Sequence, residues 1–143
     1  MKIFLLYFFF FFLLSTTDAS IQSVQIQGRL LCRGKPAQFA ELQLLDWSIF
    51  GSSIMAENVY TDGDGYFDIY GYVDQFLSIN GRLLIWHECF EEEHVHKGKC
   101  KNWMEFEVPA YFVNRERIAR NVWKMGRIDL EKEQKGDHLD KCS

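Results

Sequence analysis

Only one long apolar run occurs in this 143-residue chain, and it lies at the extreme N-terminus. No second run of that kind follows. No Asn-x-Ser/Thr sequon is present, so N-glycosylation is not expected. There is no lysine or arginine stripe, and the net charge is −4, which argues against nucleic acid as a partner and against anionic lipid held by bulk charge. No Cys-x-x-Cys pair occurs, so the common zinc patterns are missing. Neither a phosphate loop nor a nucleophile–base pair stands out, and there is no internal repeat.

What is present begins with Lys2, an unbroken apolar run from Ile3 to Leu14, and the small-x-small pair Thr17 and Ala19. This is the pattern of a secretory signal peptide covering residues 1–19, cleaved after Ala19. A membrane anchor is the rival, but the run is well short of the roughly 20 residues that a bilayer core requires. The remaining residues, 20–143, have the usual length of one domain, soluble and extracellular. All four cysteines, Cys32, Cys89, Cys100 and Cys142, fall in this part. An even number in an oxidising compartment reads as disulfides, with the pairing open.

Along the mature chain the dominant period is two. Val24, Ile26, Leu30 and Cys32 alternate with Gln25, Gln27 and Arg29, a half-buried strand that ends at Gly34-Lys35-Pro36. Phe39–Asp46 repeats the pattern with Leu42 and Leu44 against Glu41 and Gln43. Trp47–Ser53 reads as an apolar loop, Ile54–Thr61 as a weaker strand, and Asp62-Gly63-Asp64-Gly65 as a turn before Tyr66–Tyr70. Gly81–His87 is apolar on both sides, as a central strand should be, and Asn102–Val108 alternates cleanly. Ile118–Lys124 and Arg127–Glu131 read as two further strands, and Glu91–His96 has room for a single helical turn. The expectation is an all-β sandwich over residues 20–131, then a charged tail over 132–143 tied down by Cys142.

Three segments carry a family resemblance: GRLLCRGKPA at Gly28–Ala37, YTDGDGYFDIYG at Tyr60–Gly71 and LLIWHEC at Leu83–Cys89. Together, and in this order, they resemble the nematode transthyretin-like proteins. The resemblance covers essentially the whole mature chain. It implies a small secreted protein with a transthyretin-like sandwich of about seven to eight strands, outside the cell or at its surface. The wider superfamily includes thyroid-hormone carriers and 5-hydroxyisourate hydrolases. The hydrolases carry a first-strand His and a C-terminal Tyr-Arg-Gly-Ser. Here the first strand reads SVQIQGRLLC and the chain ends HLDKCS, so that activity is not expected.

Each candidate site has a bland reading beside it. Asp62 and Asp64 resemble the start of a calcium loop, but Tyr66 and Phe67 stand where further ligands belong, so the stretch reads as a turn that needs positive φ at Gly63 or Gly65. His87, His94 and His96, with Cys89 and Cys100, form a weak metal-site candidate. Disulfides explain the cysteines better, and His87 reads as a strand-end imidazole donating to a backbone carbonyl. In the implied sandwich, Cys32 and Cys89 end strands at the same end. This favours Cys32–Cys89 and Cys100–Cys142, with Cys89–Cys100 as the alternative. Trp47, Ile49 and Phe50 are the partner-binding candidates, unless their loop folds back over the sandwich end. The expected function is therefore extracellular binding of a cell-surface, lipid or small hydrophobic partner, without enzymatic activity or cofactor. Self-association through edge strands is open. A hydroxyisourate-hydrolase-like enzyme and a His/Cys metal-binding protein are the alternatives.

Overall fold

The computed structural model describes residues 20–89, 100–131 and 138–142; side chains at 100–102 and 138–142 are outside that description. The expected signal peptide, the expected helical turn at Glu91–His96, and His94 and His96 all lie outside these residues.

Two sheets pack face to face. In the first, β1 (Ile21–Cys32) is the central strand. It pairs antiparallel with β5 (Tyr66–Asp74), parallel with β8 (Trp123–Asp129), and at its end with the two-residue β2 (Lys35–Pro36). The second sheet runs β4 (Gly51–Tyr60), β3 (Glu41–Ser48), β6 (Gly81–His87), β7 (Cys100–Glu107) and β9 (His138–Cys142). The alternation explains which faces meet. Val24, Ile26 and Leu30 of β1 and Phe67 and Ile69 of β5 turn inward against Leu42 and Leu44 of β3 and Leu83 and Ile85 of β6. Most of these are fully buried, and burying such a side chain contributes roughly 1.5–3 kcal/mol before entropy is counted.

Three expectations change. Trp47–Ser53 is not a loop: β3 continues to Ser48, β4 starts at Gly51, and Ile49-Phe50 form the tip of a tight hairpin. Ser48 organises that tip, since its hydroxyl donates to the Gly51 carbonyl at 3.1 Å and accepts the Phe50 N–H at 3.3 Å. Second, the pair of strands read into Ile118–Lys124 and Arg127–Glu131 is one strand, β8, which starts only at Trp123. It carries a register shift against β1 and Gly126 at φ 72°, so one bulged strand mimics two short ones. Third, part of the expected tail returns as β9, whose backbone pairs with β7 and places Cys142 opposite Cys100.

Polar pins hold the irregular segments. The Asn114 side-chain amide donates to the Phe112 and Asn121 carbonyls, and its oxygen accepts the Asn121 N–H at 2.9 Å. Ser23 of β1 exchanges backbone hydrogen bonds with Asn114, which fastens the β7–β8 connection to the first sheet. Buried Thr61 does the same for residues 37–40. Its hydroxyl donates to the Ala37 carbonyl at 2.6 Å and accepts the Ala40 N–H at 2.9 Å, and its carbonyl accepts the Phe39 N–H at 3.2 Å.

The Asp62–Gly65 turn is built without metal chemistry. The Asp62 carboxylate accepts the N–H groups of Asp64 and Tyr66, each at 2.9 Å. Gly65 sits at φ 79°, where a Cβ would lie 2.4 Å from the Leu30 carbonyl oxygen. Gly63 has open space around it and no positive φ. Gly65→Ala is therefore expected to lower stability by about 1–3 kcal/mol, while Gly63→Ala leaves it nearly unchanged. Urea melts of the two variants check this, and equal midpoints would contradict the assignment of the turn.

Candidate functional site

The two ends of the sandwich carry different chemistry. At one end stands the β3–β4 hairpin tip. From Trp47 to Ala56 there is no ionisable side chain. Trp47 is 54% exposed, Ile49 88% and Phe50 84%, with Ile54 also exposed beside them. The hairpin holds this cluster out in solvent rather than folding it over the sandwich. The three sequence-chosen residues thus come together, and Ile54, placed opposite Leu45 by the cross-strand register, joins them.

The opposite end is built around Cys32 and Cys89, which form a disulfide across the two sheets with Cα atoms 5.7 Å apart. Beside it His87 ends β6, its side chain buried. Its Nδ1 accepts the Cys89 N–H at 3.1 Å. This corrects the expected donation to a carbonyl: the chain turns toward the disulfide immediately after β6, and that brings an N–H, not a C=O, to the ring. With Nδ1 used as an acceptor, the proton of the neutral ring is on Nε2, which is buried and has no hydrogen-bond partner among the described residues. Leaving such a donor unpaired costs about 1–3 kcal/mol. Burial also disfavours the charged ring and lowers its pKa from 6.5 to about 4.

A third feature, scattered through the sequence, is an open groove of about 600 Å³ on the outer face of the first sheet. The polar face of β1 was legible, but its parallel pairing with β8 was not. That pairing sets Lys124 beside Gln27 and Arg127 beside Arg29. The Arg29 guanidinium lies 4.9 Å from the Tyr66 ring centre, and its Nε donates to the Asp64 carbonyl at 2.8 Å. Asp68 is occupied by the Gln25 and Gln27 amides, each at 2.8 Å. Lys124 and Arg127 make no ion pair among the described residues, so the groove offers two such cations and the ring-stacked Arg29 beside the hydrogen-bonded Asp62 and Asp68 carboxylates. Among the described residues, no group of three or more His, Cys, Asp or Glu side chains is placed to hold a metal ion. No helix among them is long and apolar enough to cross a membrane.

His87 makes a pH prediction. Its folded pKa lies below the ordinary value, so the unfolded chain binds the proton more readily. The contribution of the neutral ring is fully present above pH 6.5 and is lost as pH falls toward 4. The loss reaches about 3 kcal/mol at the lower limit. Denaturant melts at pH 7, 5.5 and 4 should show a steeper fall for the unaltered protein than for His87→Phe, and parallel falls would show that this ring stays outside the titration.

Comparison with known proteins identifies the family of this chain. Residues 27–109 match the family model described as TTR-52, transthyretin-like family. Transthyretin-like protein 5 of Caenorhabditis elegans is 31% identical over 111 residues, spanning 76% of each chain. Transthyretin-like protein 2 of the same organism is 25% identical over 122 residues, covering 81% of this chain and 80% of its own. Among solved structures, a 9R-lipoxygenase from Cyanothece PCC8801 superposes with a TM-score of 0.43 and 16% identity, over 76% of this chain and 16% of the lipoxygenase. With the family match spanning more than half its length, this chain belongs to the transthyretin-like family.

Proposed function

We propose that the chain is a secreted, extracellular binding protein without enzymatic activity, and that the β3–β4 hairpin tip is its contact surface. The observation that carries this reading is the uncharged run from Trp47 to Ala56, held out by a hairpin with Ile49 and Phe50 more than four-fifths exposed. Large contiguous apolar patches on a soluble domain mark interaction sites, and tryptophan is prominent among residues that dominate binding energy. The partner class that fits is a cell-surface, lipid or small hydrophobic one, because the tip presents no charge to a polar ligand. Secretion rests on the N-terminal pattern, and the Cys32–Cys89 disulfide suits an oxidising compartment.

Expression of the full chain in eukaryotic cells should deliver protein to the medium with its N-terminus at Ser20, within a residue or two. Retention in the cell would count against secretion. Binding of that protein to intact cells and to phosphatidylcholine vesicles should then be compared with a Trp47→Ser, Ile49→Ser, Phe50→Ser variant. Apparent affinity is expected to fall at least roughly tenfold with the melting temperature unchanged, since the three side chains are largely exposed. Equal binding by the two proteins would remove the hairpin from this role.

A further inference from the structure

Beside the Cys32–Cys89 disulfide lies a cavity of about 370 Å³, within the size range of small-molecule sites. Its walls combine apolar groups, among them Leu130, Trp86 and the disulfide itself, with nearly as much polar surface, and His87 lines it too. Among the described residues, Glu88 is the only formally charged side chain in the lining, and none of them is a cation. Two features of this wall have no account in the packing of the sandwich. One is the His87 Nε2–H, a buried donor without a partner among the described residues. Native structures satisfy nearly all such groups, so each exception calls for a partner. The other is Phe39, which stands at φ 57°, a left-handed conformation that bulky residues rarely adopt. The hydrogen bonds of Thr61 to residues 37, 39 and 40 hold the backbone there. The outcome of that strain is a phenyl ring 75% exposed in the cavity lining, where no core benefits from it. Strain of this kind gathers at ligand clamps.

We propose that this cavity binds a small, uncharged apolar molecule carrying one hydrogen-bond acceptor, such as a ketone or ester carbonyl, which accepts from His87 Nε2–H while the Phe39 ring covers it. The ring nitrogen is itself buried, so the acceptor reaches it as neighbouring side chains shift, and the Phe39 ring, largely exposed, is little held by packing. Glu88 disfavours carboxylates, and the neutral imidazole offers them no charge. The site lies at the other end of β3 and β6 from the hairpin tip, so the two readings stand or fall separately.

NMR titration of the oxidised protein with acetophenone, toluene and benzoate tests it. Acetophenone should shift the His87 ring nitrogen and the Leu130 methyl groups saturably, and bind roughly tenfold tighter than toluene. Benzoate should bind weakest. His87→Phe should abolish the preference for acetophenone over toluene. Phe39→Gly, whose backbone suits φ 57°, should keep or raise the melting temperature while weakening acetophenone several-fold. The proposal is overturned by non-saturable shifts, by equal affinity for acetophenone and toluene in the unaltered protein, or by Phe39→Gly binding as the unaltered protein does.

Discussion

The disulfide between Cys32 and Cys89 is the constraint on which the arrangement of this protein turns. It joins the end of β1 in one sheet to the chain just beyond β6 in the other, strands that share no backbone hydrogen bonds. Closing a loop across 57 residues limits the unfolded chain by about 4 kcal/mol in the entropic description. Its local effect matters as much. The turn into Cys89 brings an N–H onto the His87 ring, fixes which nitrogen carries the proton, and forms part of a cavity wall. The opposite end has no such covalent tie, and there the chain extends into a hairpin.

Legibility in the sequence followed the chemistry of burial. β1, β3, β6 and β7 could be read because one or both faces are apolar and the period of two is unbroken, as with Leu42 and Leu44 against Glu41 and Gln43. The tip of the β3–β4 hairpin could not, because Trp47 to Ser53 has no polar–apolar alternation to mark a buried face, and the strands there are held by backbone pairing. β8 was divided in two because the bulge at Gly126 shifts its register midway. β9 was read as tail because charge dominates HLDKC, and only its pairing with β7 makes it a strand. The same logic governs the candidate sites. Trp47, Ile49 and Phe50 are contiguous and were visible. The groove of Arg29, Lys124 and Arg127 depends on a parallel pairing that sequence spacing does not reveal. For His87 the neighbourhood of Cys89 was visible, but not the direction of its hydrogen bond.

The two ends are separated by the length of β3, whose eight residues span roughly 25 Å at the usual rise per residue. Glu41 pairs with Trp86 near the cavity, while Asp46 pairs with Gly81 near the hairpin. A rigid sheet of this kind can present a surface for a large partner at one end and a pocket for a small ligand at the other, with nothing shared between them except the strands.

One consequence of the hairpin concerns how copies of the protein avoid each other. A partly apolar strand with a single charged side chain, on the outside of a sheet, is the kind of segment that templates fibril growth. Here β4 is that outer strand, and its ladder with β3 is interrupted twice, with Asn58 at φ 57° within it. Bulged edges twist and offer an incoming strand a poorly matched row of donors and acceptors. These irregularities fall between Ile54 and Val59, so they guard against self-templating just beyond the exposed apolar side chains of the tip.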